Sequence, residues 1–203
     1  MKNYTAQSGA TITLDNAGVR TTVDLYSHEG LDLLSNLWIK AAAEHRLMYE
    51  PTWLGRPVIQ FPTDIVVMQE LLWQVRPDLV IETGVAHGGS LVLSASILEL
   101  LGAGKVIGID VDIRLHNRSA IEAHPLKHRI ELIEGSSIDD STMAAVRRAA
   151  AGATVVVVFL DSNHSEAHVL RELELYSELV TPGSYLVAHD GAHNPACPRV
   201  EHA

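Results

Sequence analysis

The sequence predicts an α/β protein built on a doubly wound, mostly parallel sheet. Three observations carry this prediction. Short apolar runs alternate with helix-periodic stretches five times between residues 79 and 188. The run over 154–160 is apolar on both faces, as a strand at the centre of a parallel sheet must be. Every run ends in glycine or polar residues, at the rim where such sheets bind their ligands.

Taken in order, residues 11–14 and 19–25 alternate in places and suggest a hairpin. The intervening Asp15-Asn16-Ala17-Gly18 makes its turn longer than the favoured two residues. Leu31, Leu34, Leu37, Trp38, Ala41 and Ala42 recur with helical spacing, so a helix is expected over 31–47. Pro51, Gly55 and Pro57 mark residues 49–57 as a loop. Thr63 or Asp64 can cap a helix that runs to about Gln74. The alternation then begins, with strands expected over 79–81, 106–110, 130–135, 154–160 and 184–188. Helices are expected over 89–101, 114–123, 142–151 and 165–179. Crossovers between parallel strands are right-handed almost without exception. The expected division is an N-terminal helical and hairpin segment over 1–60, serving as lid or oligomerisation element, and a ligand-binding domain over 61–203.

Composition narrows the function classes. Of 203 residues, 47% are hydrophobic and 20% charged, which excludes a disordered chain. No apolar stretch approaches the ~20 residues that span a bilayer, and residues 1–16 lack an apolar signal core. The protein is therefore read as soluble and cytoplasmic, with no membrane partner. A single cysteine, Cys197, excludes an internal disulfide framework. Lys and Arg number 15 against 25 Asp and Glu, a formal net charge of −10, so nucleic acid is not an expected partner.

The strand tips carry the chemistry. The first run ends in Glu82-Thr83-Gly84-Val85-Ala86-His87-Gly88-Gly89-Ser90, and the second in Asp110-Val111-Asp112. The third ends in Glu134-Gly135-Ser136-Ser137-Ile138-Asp139, the fourth in Asp161-Ser162-Asn163-His164, and the fifth in His189-Asp190. The spacing Gly84, Gly88, Gly89 departs from a dinucleotide GxGxxG fingerprint. Glu82 would repel a pyrophosphate and welcome a cation. Asp110 is placed to hold ribose hydroxyls. A nucleoside with a positive centre and no phosphates satisfies both, which points to S-adenosylmethionine. The plainer alternative is that Glu82 and Asp110 cap the helices that follow them. Asp161 and Asp190, on neighbouring strand ends, can share a hard divalent cation. His164, about one turn beyond Asp161, has the titration range of a general base. It can equally be an exposed residue at a helix start, and Asp190 a turn residue.

One run is Trp53-Leu54-Gly55-Arg56-Pro57-x-x-Gln60-x-Pro62-x-Asp64; another is Arg76-Pro77-Asp78-Leu79-Val80-Ile81-Glu82-Thr83-Gly84-x-x-x-Gly88-Gly89-Ser90. With Asp161-Ser162-Asn163-His164 and Pro182-Gly183-Ser184-Tyr185-Leu186-Val187, they resemble the cephalosporin hydroxylase / rhamnosyl O-methyltransferase family over residues 45–191. The resemblance implies a Rossmann-like class I methyltransferase fold and a magnesium-requiring, S-adenosylmethionine-dependent O-methyltransferase acting on sugars or natural products. It implies that Glu82, Gly84, Gly88, Gly89, Ser90 and Asp110 hold the cofactor, with Ser137 near the adenine. It also implies that Asp161 and Asp190 bind the metal and that His164 is the base. Some relatives carry a second acid where this chain has His189, which becomes either a third ligand or a side chain turned away. Imidazole as a ligand would shift metal preference toward Mn²⁺ or Fe²⁺.

Such sheets usually finish with a sixth and a seventh strand, and thirteen residues follow Asp190. The expectation is that these C-terminal strands are missing, through truncation or because a partner supplies part of the acceptor wall. A fifth strand left as an open edge predicts a homo-oligomer, or the N-terminal segment covering that edge. Two other functions stay open: a non-catalytic S-adenosylmethionine-binding partner subunit and, more weakly, a hydroxylase or other oxidoreductase.

Overall fold

The computed structural model describes residues 9–189, which fall into two compact units divided between Met48 and Tyr49. In the first unit, β1 (Thr11–Asn16) pairs antiparallel with β2 (Val19–Asp24), in register from Thr11↔Asp24 to Asn16↔Val19. The strands run on through Asp15 and Asn16, so the turn has only two residues, not the four that the sequence suggests. Ala17 (φ 50°) and Gly18 (φ 86°) both take the left-handed conformation that matches strand twist in such turns. Helix α1 (His28–Glu44) starts and stops three residues before its expected bounds. Ser27 sets its start: the hydroxyl accepts from Gly30 N at 3.0 Å.

The second unit begins earlier than the expected boundary after residue 60. Residues read as loop contain a short ribbon, β3 (Thr52–Trp53) with β4 (Arg56–Pro57). Trp53 Nε1 donates to Ser96 Oγ at 3.0 Å, which ties the ribbon to the sheet unit. Helix α2 (Pro62–Val75) has Phe61 as its N-cap, with no side-chain cap bond. The expected caps Thr63 and Asp64 lie inside the first turn. Pro62 decides this, because its fixed φ suits the first helical position and its missing N–H costs nothing there.

Five parallel strands follow, alternating with helices: β5 (Leu79–Thr83), α3 (Gly89–Leu101), β6 (Lys105–Asp110), α4 (Leu115–Glu122), β7 (Ile130–Glu134), α5 (Asp140–Ala149), β8 (Val156–Leu160), α6 (Glu166–Tyr176) and β9 (Leu186–Ala188). Their order is β7-β6-β5-β8-β9. The chain runs outward from β5 to β7, then crosses back to β8, so the topology reverses between β5 and β8. Ligands gather at such a reversal.

Alternation along the strands builds two cores. Val80, Val106, Val157 and Phe159 pack with Met68 and Leu72 of α2 and Leu91 and Leu98 of α3. Leu79, Ile81, Ile107, Val156, Val158 and Leu160 face the other way, onto Met143 and Val146 of α5 and Leu175 and Tyr176 of α6. β8 starts two residues later than its apolar run suggests. The Asp78 carboxylate takes the backbone N–H groups of Thr154 (2.9 Å) and Val155 (3.0 Å), fastening the entry of β8 to that of β5. Desolvation pushes the Asp78 carboxyl upward, and these bonds together with the Thr154 hydroxyl outweigh it and hold it below the usual range.

Among the described residues, β9 pairs on one side only, with β8. Asp190 and the expected absence of further strands lie outside the described residues. No helix among them is long and apolar enough to cross a membrane.

Candidate functional site

The strand tips enclose a cavity of about 630 Å³, lined by Gly84, Asp110, Ser137, Asp161, His164 and His168 among others. Four strands therefore deliver predicted residues to one place. Gly84 turns the chain at φ 91°, and a Cβ there would lie 2.0 Å from the Asp161 carbonyl oxygen. Only glycine lets β5 and β8 approach so closely.

Asp110 organises the loop after β5. Its Oδ2 accepts from Val85 N (2.8 Å) and Ala86 N (3.2 Å), and its Oδ1 accepts from Asp112 N (3.1 Å). The helix-capping alternative does not describe this geometry, since the carboxylate holds the glycine loop rather than a helix start. Each carboxylate oxygen has two lone pairs, so Oδ1 keeps capacity for a ribose hydroxyl.

Glu82 lies beneath the rim, 1% exposed. Ser90 donates its hydroxyl to Oε1, while Oε2 is buried without a hydrogen-bond partner. Burial, reinforced by the charge of Asp161, pushes the carboxyl up to about 8. Two carboxylates at the ends of adjacent strands, one of them with an empty buried oxygen, are an arrangement that a cation would relieve.

Gly88 and Gly89 do not line the cavity. A Cβ on Gly88 would meet Ile121 Cδ1 at 2.4 Å, and one on Gly89 would meet the Pro57 carbonyl oxygen at 2.1 Å. Their lack of a side chain serves packing at the start of α3. Arg56 reinforces the same corner: Nε donates to His87 O at 2.9 Å, and Nη2 to Asn117 Oδ1 at 3.2 Å. Asn117 Nδ2 in turn donates to Ala86 O at 2.8 Å. Arg56 appeared in the sequence only as part of a motif, because its partners lie 31 and 61 residues away.

Gln60 joins two of the predicted metal ligands. Its Nε2 lies 2.9 Å from Asp161 Oδ2 and 3.2 Å from His189 Nδ1. Among the described residues, no group of three or more His, Cys, Asp or Glu is placed to hold a metal ion. One carboxylate and one imidazole, bridged by an amide, fit a divalent cation only in part. His164 lines the cavity, exposed, in the loop just ahead of α6 rather than on its first turn.

Beyond β7, Ser137 Oγ lies 3.0 Å from His168 Nε2, which is also 3.2 Å from Ser162 Oγ. Ser162 donates to Glu172 Oε1 at 2.7 Å, and Glu172 is 1% exposed. His168 and Glu172 escaped sequence reading. One signal was present: Glu172 occupies a place in the inward stripe of α6 beside Leu175 and Tyr176, where an apolar residue is expected.

The profile of the family described as rhamnosyl O-methyltransferase/CmcI matches residues 45–201. A rhamnosyl O-methyltransferase of Mycobacterium leprae is 31% identical over 152 residues, covering 73% of this chain and 64% of the relative. One from Mycobacterium tuberculosis is 31% identical over 146 residues, covering 70% and 58%. The chain thus spans less than two thirds of the length of these relatives. Among solved structures, a CmcI structure described as its Mg–SAM form superposes with TM-score 0.54 and 23% identity, covering 70% of this chain and 58% of that one. An O-methyltransferase from Bacillus cereus in complex with SAH gives TM-score 0.52 and 19% identity, covering 77% and 64%. The structural likenesses establish the Rossmann-like class I methyltransferase fold that the five-stranded sheet displays. The profile match extends over the ribbon, the glycine loop and all five parallel strands, and the chain belongs to the rhamnosyl O-methyltransferase/CmcI family.

Proposed function

We propose that the protein transfers a methyl group from S-adenosylmethionine to a hydroxyl of a sugar or small natural product. The observation that carries this is the buried, unpartnered Glu82 Oε2 repelled by Asp161, a residue that lines a nucleoside-sized cavity. A ligand ammonium supplies the missing partner, and Asp110 Oδ1 takes a ribose hydroxyl at the next strand. Glu82, Gly84, Ser90, Asp110 and Ser137 serve the cofactor, with Gly88 and Gly89 shaping the loop.

In this reading, His164 accepts the proton of the acceptor hydroxyl. The oxygen forms its bond to the methyl carbon as the sulfur–methyl bond breaks, and the cofactor leaves as neutral S-adenosylhomocysteine. The sheet's main contribution is to align oxygen, methyl and sulfur. Asp161, Asp190 and His189 would hold a divalent cation such as Mg²⁺, which when bound lowers the pKa of a coordinated hydroxyl. Two relatives are rhamnosyl O-methyltransferases by name and one neighbour is described with Mg and SAM, which supports a glycosyl acceptor and a metal here. The proposal extends to cytoplasmic location, to a homo-oligomer that covers the free side of β9, and to a lid or assembly role for the N-terminal segment.

The test is incubation with methyl-labelled S-adenosylmethionine and a panel of rhamnosylated glycosides and phenolic natural products. Label should appear in one acceptor class with stoichiometric S-adenosylhomocysteine. Failure to bind either form of the cofactor would refute the proposal.

A further inference from the structure

The polar cluster beyond β7 has a hydrogen-bond direction that its own geometry dictates. Glu172 is buried and its carboxylate accepts the Ser162 hydroxyl hydrogen at 2.7 Å. A hydroxyl has one hydrogen, so Ser162 Oγ can only accept from its other neighbour, His168 Nε2 at 3.2 Å. Nε2 therefore carries the proton. The reverse tautomer would set a ring lone pair against Ser162 Oγ and against Glu172 Oε1, which lies 3.5 Å away. A protonated Nε2 has no lone pair to offer, so Ser137 Oγ, 3.0 Å away, is an acceptor too. The Ser137 hydroxyl hydrogen is then left to point elsewhere, on a side chain that lines the cavity. Tyr176 Oη, donating to Ser137 O at 3.0 Å, pins the main chain at the same residue.

We infer that Glu172, Ser162 and His168 form a one-way relay that leaves the Ser137 hydroxyl hydrogen free to donate to ring nitrogen N1 of the cofactor's adenine. The inference rests on the cofactor placement proposed above. N1 is the ring acceptor farthest from the ribose. With the ribose at Asp110 on β6, Ser137 beyond the neighbouring strand β7 meets the far edge of the base. Hypoxanthine differs from adenine there, because its N1 bears a hydrogen, which Ser137 Oγ can take on its second lone pair only by turning its own hydrogen away from the base. Glu172 and His168 are thus positioning residues for base specificity, acting through Ser137.

The experiment is calorimetric titration with S-adenosylhomocysteine and with its deaminated analogue S-inosylhomocysteine. Leaving that hydroxyl hydrogen unpaired is costly, so the unsubstituted protein should prefer the adenosyl ligand by roughly 10–100-fold. Ser137→Ala should weaken adenosyl binding by roughly 10-fold and collapse the preference to a few-fold. In Glu172→Gln the amide can donate to Ser162 as well as accept from it, so the direction of the relay is no longer fixed, and the preference should fall by a few-fold while both ligands still bind. A merely structural role would lower both affinities together and leave their ratio intact. If Glu172→Gln does not fold, His168→Phe carries the same comparison. Unchanged ratios in these variants would overturn the relay and leave the cofactor reading standing. No binding of S-adenosylhomocysteine to the unsubstituted protein would overturn both.

Discussion

Glu82 gives the sharpest prediction, because its ionisation and cofactor binding are one event in the proposed site. Burial and Asp161 raise the carboxyl to about 8 from the ordinary 4.5. At pH 7 the group is mostly protonated, and recruiting its charge for a ligand ammonium costs about 1.4 kcal/mol, one pH unit below that value. Affinity for S-adenosylhomocysteine should therefore rise about tenfold per pH unit from pH 6 to 8 and flatten above. Binding at pH 7 should release close to one proton, read by calorimetry in buffers of different ionisation enthalpy. Glu82→Gln should abolish both the slope and the proton release, and weaken binding at pH 8.5 by about 1.5–3 kcal/mol. Stability moves the opposite way. The folded protein binds more protons than the unfolded chain between pH 4.5 and 8. Unfolding free energy should accordingly fall as pH rises through that window, by at most about 1.4 kcal/mol per unit. Glu82→Gln should remove that loss. A flat affinity profile from pH 6 to 8, with the Gln variant binding as tightly as the parent, would refute the reasoning.

Asp110→Ala removes the proposed ribose partner, two backbone bonds of the glycine loop and a third to Asp112 N. It should weaken S-adenosylhomocysteine by at least about 1.5–3 kcal/mol in the same titration, and unchanged affinity would displace the cofactor from β6. Asp78→Ala should lower unfolding free energy by about 1–3 kcal/mol in urea melts, since Thr154 N and Val155 N lose their acceptor. The Asp78 carboxyl is held below its ordinary 3.8, so its contribution is present above that pH and fades as the solution is acidified further. Gly84→Ala should prevent native folding or open the β5–β8 junction, seen as lost cofactor binding, because the added Cβ meets backbone at 2.0 Å. Methyl transfer assayed in chelator, then with Mg²⁺ or Mn²⁺ restored, should return only with metal. Full activity in chelator would remove the cation from the proposal.

The central sheet was legible because burial on both faces leaves a signature that local sequence cannot hide. Val156–Leu160 and Leu79–Thr83 are buried at every position, and each reads as a strand without reference to anything distant. The misplaced boundaries have the opposite character. β8 loses its first two residues to a carboxylate 76 and 77 residues away. The ribbon at Trp53 depends on a serine 43 residues on. The two-residue hairpin turn requires Ala17 in a left-handed conformation, which costs a non-glycine residue about 1–2 kcal/mol. No reading of the local pattern would choose it.

The candidate site divides along the same line. Residue type and position at a strand tip sufficed to nominate Glu82, Asp110 and Asp161, since topology brings all tips to one rim, whereas Ser137 was nominated by the family resemblance. What those residues do depends on partners that topology does not specify. Asp110 spends much of its capacity on the glycine loop after β5, and Gly88 and Gly89 pack against Ile121 and Pro57. Gln60 touches Asp161 and His168 touches Ser137 from outside the tips, and Glu172 reaches Ser137 only through His168. A carboxylate on the inward stripe of α6 is costly unless satisfied. Its presence there implies a buried network even before the partners are known. That makes an acid in an apolar stripe the most useful sequence signal for a residue that directs a site without lying at a strand tip.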